Sequence, residues 1–228
     1  MAEVKEPQRR STENEEVVDR ARDFWTRYSK PIIIASTAII LIAGAYLAYK
    51  YLIQAPKEEK AREAIFKAED YFRKDSMQLA LKGDGLNPGF VKIIDQYGST
   101  KAGNLARFYA GAASVQTGDF ASAVKYLKDF DTDSKPTEAR AYKLLGDAYA
   151  EQGKNNDALD SYKKAAHTFE DDITNSSEYL FMAGYFAQKV VKDQKQAIDL
   201  FKELKEKYPK TQRGFEADKY LASLGVYN

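Results

Sequence analysis

The chain has 228 residues, 44% hydrophobic and 30% charged, with a formal net charge of +1, no Cys and one His. Without Cys there is no disulfide, thiol nucleophile or thiolate metal site, and with a single His a metal would have to rest on carboxylates. The even charge balance offers no basic excess for a nucleic-acid partner, and none is expected.

Residues 1–16 are polar and rich in Glu, with no hydrophobic period, and are expected to be disordered. From Glu15 the pattern turns helical, with Val17, Val18, Ala21, Phe24, Trp25 and Tyr28 at spacings of three and four. This reads as an amphipathic lead-in within a tail, 1–30, whose basic and acidic residues balance.

The stretch 31–53, PIIIASTAIILIAGAYLAYKYLI, carries no charge before Lys50. Its aliphatic run of Ile32, Ile33, Ile34, Ile39, Ile40, Leu41 and Ile42 is long enough to span the hydrocarbon core as a helix. Trp25 and Tyr28 stand outside one end and Tyr46, Tyr49 and Tyr51 at the other, where interfacial aromatics belong. A transmembrane helix in a lipid bilayer is therefore expected, rather than a cleaved signal peptide, because about thirty polar residues precede the run and no small-x-small site follows it. Arg22, Arg27 and Lys30 on one flank match Lys57, Lys60 and Arg62 on the other, so charge leaves the orientation open.

Residues 57–228 hold 27 basic and 27 acidic residues and are one domain's worth of chain. A helix is expected after Pro56, with Ala61, Ala64, Ile65, Ala68, Tyr71 and Phe72 on one face, ending before the turn-forming stretch 83–89. A short helix follows, carrying Phe90, Ile93, Ile94 and Tyr97 and closed by Gly98.

From Gly103 the chain repeats itself. Gly111, Gly118 and Ala123 recur 35 residues later as Gly146, Gly153 and Ala158, and a looser third copy runs through Phe181, Gly184, Ala197, Phe201, Leu204 and Pro209. A second echo pairs Tyr97, Thr100, Gly103, Ala106 and Tyr109 with Tyr208, Thr211, Gly214, Ala217 and Tyr220. Such a period, with helical apolar spacing, is the mark of stacked helix-turn-helix units. The last helix is expected at 211–224.

The middle copy, Tyr142-x-x-Leu145-Gly146-x-x-Tyr149 followed by Ala158, Tyr162 and Ala165, resembles the tetratricopeptide repeat. The terminal Pro of that motif is replaced by Glu170 in this copy and present as Pro209 in the third. Gly146 and Ala158 are expected to let the two helices of a repeat close up, with Leu145, Tyr149 and Tyr162 filling the space between repeats. The expected fold is all-α: an N-terminal transmembrane helix followed by a tetratricopeptide-repeat α-solenoid.

The stretch 12–18, the lead-in reaching Phe24-Trp25, one span and a helical-repeat domain together resemble the YfgM family of single-span inner-membrane proteins. The resemblance implies a cytoplasmic tail at 1–30, the membrane helix at 31–53 and a periplasmic repeat domain at 57–228. It also implies partners, the SecYEG translocon and a PpiD-like periplasmic chaperone, and a role as an accessory translocon subunit. The alternative is a periplasmic scaffold for envelope or outer-membrane assembly, suggested by Tyr208-Pro209-Lys210-Thr211.

No enzyme and no cofactor are expected. His167 reads as a solvated helix residue, Glu170-Asp171-Asp172 as a polar helix end, and Gly83-x-Gly85 lacks the strand and Lys-Ser/Thr pair of a phosphate loop. Two binding surfaces are expected. Ser36, Ile40, Gly44 and Ala48 form a mostly small i, i+4 row that would let another membrane helix approach. In repeats of this kind the first helix of each pair lines the concave groove, which places Phe108, Ala112 and Val115, then Lys143 and Asp147, then Phe181, Tyr185 and Gln188 on that face.

Overall fold

The computed structural model describes residues 8–227, with side chains from residue 16 onward. Every regular element among the described residues is helical. The chain divides into two units, Met1–Pro56 and Lys57–Asn228.

The first unit is built on α1 (Gln8–Tyr49), ending in a π-helical turn at Lys50–Gln54. The expected disorder is corrected at residues 8–16, which are helical, while 1–7 lie outside the described residues. Gln, Arg and Glu are good helix formers even without an apolar face to pack, and Arg20 pairs with Glu16 one turn back at 3.3 Å. The helix also runs through Pro31, forgoing the hydrogen bond that the Arg27 carbonyl would otherwise accept. Nor is there a break at 54–56, since helical residues continue through Pro56. Pro56 stands within this run, in α2 (Ala55–Arg73), and withholds one backbone N–H from the helix.

Ile34, Ile39, Ile40, Leu41 and Ile42 are 66–71% exposed. In water such bare aliphatic surface costs about 25 cal/mol per Å², whereas in hydrocarbon it costs nothing. The segment is long and apolar enough to cross a membrane, and none of it is buried in the protein.

The second unit continues from α2 into α3 (Met77–Lys82) and α4 (Phe90–Tyr97). The one helix expected up to the 83–89 turn is broken at 74–76, where Asp75 takes a left-handed φ of 59° and Ser76 starts α3; short polar side chains tolerate that geometry. Three helix pairs follow: α5 (Lys101–Gln116) with α6 (Phe120–Lys128), α7 (Lys135–Glu151) with α8 (Asn155–Thr168), and α9 (Ile173–Phe186) with α10 (Gln194–Lys207). The helix α11 (Gln212–Ser223) closes the array. The fold is thus the all-α one, a transmembrane helix and a tetratricopeptide-repeat solenoid.

The two echoes have separate physical causes. In the second, the Thr100 hydroxyl donates to the Tyr97 carbonyl at 2.7 Å and accepts from the Gly103 N–H at 2.9 Å. Thr211 repeats this with Tyr208 and Gly214 at 2.9 and 3.0 Å. Both are helix N-caps, each contributing about 1 kcal/mol. A Cβ at Gly103 or Gly214 would collide with the same tyrosine carbonyl, which explains the fixed Tyr-x-x-Thr-x-x-Gly spacing.

The first echo reports helix–helix approach. A Cβ on Gly111, Gly146 or Gly184 would lie 2.5, 2.6 or 2.9 Å from Leu127, Tyr162 or Phe201 on the partner helix. Tyr162 therefore packs inside its own repeat, against Gly146, as well as against Phe186 of the next at a centroid distance of 5.4 Å. The core falls into two large clusters: one gathers α2–α5 around Phe90 and Ile93, the other α8–α11 around Leu180, Phe201 and Leu204. A small cluster of Phe108, Leu127 and Ala141 lies between them.

Gly146→Ala tests the close approach. In an ordinary helix this change stabilises by about 1 kcal/mol. Here the added methyl meets the Tyr162 ring, and the expected outcome is a destabilisation of about 1–3 kcal/mol, read by thermal unfolding.

Candidate functional site

The first helices of the three pairs bring their side chains to a cleft of about 680 Å³. Leu105, Phe108 and Tyr109 come from α5, Pro136, Thr137, Arg140, Lys143 and Leu144 from α7, and Phe169, Asp172, Asn175 and Tyr179 from α9 and the turn before it. A groove on the first helices is present, but its register departs from the expected one.

Phe108 and Lys143 line the cleft. Phe108 is only 7% exposed, packed on Leu127 and Ala141, so it forms the floor. Ala112 is buried, Val115 half-buried, and neither lines the cleft. Asp147 turns toward its own repeat: it binds Lys143 at 2.7 Å and accepts from the Tyr162 hydroxyl at 3.0 Å.

The third-copy positions, Phe181, Tyr185 and Gln188, are corrected. Helix α11 covers Phe181 and contacts the other two, with Tyr185 still exposed at its edge. Phe181 is 7% exposed, with the Tyr220 ring at 5.1 Å and the Arg213 guanidinium at 4.1 Å from its centroid. Tyr185 contacts the Tyr220 ring at 6.1 Å, and Gln188 donates to the Ser223 hydroxyl at 3.1 Å. The reason is the second echo: α11 carries the pattern of α5 and packs as the first helix of a further repeat would. The part of α9 that lines the cleft is its N-terminal half, where Asn175 and Tyr179 stand.

Leu105, Arg140 and Tyr179 were not among the expected groove residues. The 35-residue offset that pairs Gly111 with Gly146 also pairs Leu105 with Arg140 and Phe108 with Lys143, so a signal for the first two existed one turn upstream. Tyr179 had none, because the third copy is offset by 38 residues from Gly146 to Gly184.

In the membrane helix, Ser36, Ile40, Gly44 and Ala48 lie on exposed helical positions, and a Cβ on Gly44 would meet nothing within 4 Å.

His167 is more engaged than a solvated residue. Its Nε2 lies 2.8 Å from Glu203, and Lys207 reaches Glu203 and Glu170 at 3.0 and 2.7 Å. His167, Glu170 and Glu203 present ligand atoms within 4.8 Å of one another. The Lys207 ammonium binds both carboxylates, so the protein supplies its own cation there. Burial opposes the charge of Glu203, but hydrogen bonds from Lys207 and His167 outweigh it and hold the carboxyl below its ordinary range. Hydrogen bonds that Lys207 donates to Glu170 and Glu203 push its own pKa up.

Residues 178–211, spanning most of α9 and all of α10, match the tetratricopeptide repeat family. The chain contains a tetratricopeptide repeat. The match falls on the third copy, not on the middle copy whose motif is plainest in the sequence, and it includes the Pro209 that the middle copy lacks. No curated protein matches the chain. Tetratricopeptide repeats are protein-interaction modules, and stacked arrays of them present an extended concave surface.

Because the folded pKa of Glu203 is depressed, its contribution is present above the unfolded carboxylate range and is lost as pH falls through the folded value. Glu203→Gln should destabilise the fold at pH 7 by at most about 1 kcal/mol for these partly exposed groups, seen as a lower melting temperature. The gap to the parent should shrink in acid, as followed by thermal melts across pH 3–7.

Proposed function

We propose that the protein is a membrane-anchored interaction module that holds polypeptide in the cleft between α5, α7 and α9, and that it acts by binding rather than by catalysis. The carrying observation is the open cleft itself: aromatic and aliphatic walls beside a few charged groups, on a domain whose chain also carries a membrane-crossing helix. Apolar walls anchor side chains while polar groups meet the backbone of an extended segment.

The resemblance to the YfgM family makes the fuller reading an accessory role at the SecYEG translocon, contacting a PpiD-like chaperone or chains in transit. On that reading the tail at 1–30 is cytoplasmic, 31–53 spans the inner membrane, and 57–228 is periplasmic. The row Ser36, Ile40, Gly44 and Ala48 would then be the face toward a partner membrane helix.

Affinity capture of the full chain after crosslinking and mild detergent extraction should recover translocon subunits. Recovery of outer-membrane or cell-wall machinery would favour the envelope scaffold. Gly44→Leu with Ala48→Leu should release the membrane partner and leave insertion intact. Asn175→Trp, an exposed rim position, should fill the cleft and lower polypeptide capture without lowering the melting temperature; unchanged capture would rule out the cleft as the binding surface.

Orientation has its own test. Cys introduced at Ser11 and at Ser223 is exposed to an impermeant reagent in intact spheroplasts. Labelling at position 223 alone is expected, and labelling at position 11 alone reverses the orientation.

A further inference from the structure

The cleft carries a group of donors that the fold leaves unspent. Tyr109 on α5, Arg140 on α7 and Tyr179 on α9 all line it. Among the described residues, neither phenol hydroxyl makes a hydrogen bond, and the Arg140 guanidinium makes neither a hydrogen bond nor an ion pair. The three belong together: burial raises the pKa of both phenols, and Arg140 acts on each in the opposite sense.

Most of the other charges around them are already engaged. Lys143 is held by Asp147 at 2.7 Å, and the second oxygen of Asp147 is held by Tyr162. Asp172 caps α9, accepting from the Asn175 N–H at 3.1 Å and its amide at 2.7 Å. Glu178, which also acts on Tyr179, accepts from Nε and Nη2 of Arg213 at 2.7 and 2.9 Å. On the α2 side, Glu69 and Arg73 act on Tyr109 with opposite signs. What remains on α7 is one exposed guanidinium without a counter-ion, beside two phenols, between an apolar wall of Leu105 and one of Phe169, over the Phe108 floor.

A guanidinium presents five N–H donors in a planar fork, and its complement is a carboxylate bound through both oxygens. A chain-terminal carboxylate would leave one apolar wall empty, because polypeptide continues on one side of it only. An acidic side chain within a segment lets its neighbours occupy both walls. Given that the cleft holds polypeptide, as proposed above, we infer that it selects an extended segment with an internal Asp or Glu flanked by apolar residues, anchored on Arg140.

The test uses the full chain in lipid nanodiscs and short fluorescent peptides, read by anisotropy. One peptide carries Leu-Glu-Phe at its centre with an amidated C-terminus. A second has Gln in place of Glu, and a third has Leu-Gln-Phe with a free C-terminal carboxylate. The internal-Glu peptide should bind about tenfold more tightly than either, and added salt should weaken it. Arg140→Gln should erase the difference; the position is exposed, so the fold is kept. Tyr109→Phe and Tyr179→Phe, which each remove only a hydroxyl, should reduce it. Equal binding of the Glu and Gln peptides, a preference for the free C-terminus, or an Arg140→Gln protein that still discriminates would overturn the inference and leave the cleft as a peptide site. Failure of all three peptides to bind would remove both the inference and the peptide-binding reading on which it rests.

Discussion

The repeat domain depends on a glycine set against a large side chain of the neighbouring helix. Gly146 facing Tyr162 brings α7 and α8 together, and Gly111 with Leu127 and Gly184 with Phe201 do the same in the flanking pairs. The consequence reaches the cleft. With the Tyr162 ring packed against Gly146, its hydroxyl meets Asp147, and Asp147 in turn holds Lys143. A contact in the core thus neutralises one of the two cations on α7 that line the cleft, and leaves Arg140 as the free one. Packing distance and binding chemistry are set by the same pair of residues.

Much of this was legible in the chain, and the reasons differ from one element to the next. The 35-residue recurrence of Gly111 as Gly146 reports helix approach directly, since only glycine fits there. The membrane helix was legible from length and composition. The helical tail from Gln8 was not, because the argument from hydrophobic period measures what a helix can pack on, whereas Gln, Arg and Glu favour helix by backbone propensity alone. The break at Asp75 hid behind an uninterrupted apolar face, and only the local chemistry of Asp-Ser marked it.

The groove was legible in its choice of helices but not in its register. Phe108 and Lys143 line the cleft, whereas Phe181 lies under α11, and Tyr185 and Gln188 contact α11 rather than the cleft. Two insertions blurred the third copy. Helix α8 has 14 residues where α6 has 9, and this outweighs the shorter α8–α9 connection to shift the third copy by three residues. In addition, Gly184 stands eight residues before the left-handed Lys192, where Gly146 stands seven before Gly153. The π-helical turn Ala187–Val191 absorbs that single extra residue without breaking the helix. Periodicity alone cannot reveal such a turn, because it keeps the residues helical while rotating the face that follows.

The thin cluster of Phe108, Leu127 and Ala141 has a bearing on how the domain opens. Two substantial cores lie on either side of it, one built on α2–α5 and the other on α8–α11. In a linear array, cooperativity is carried by nearest-neighbour interfaces, so the weakest interface is where partial unfolding begins. The cleft runs across this seam, with α5 on one side and α9 on the other. An occupant that touches both flanks would act as a clasp, tying two otherwise separable folding units into one. Amide hydrogens of α6 and α7 would then be the ones whose exchange slows most when the cleft is filled.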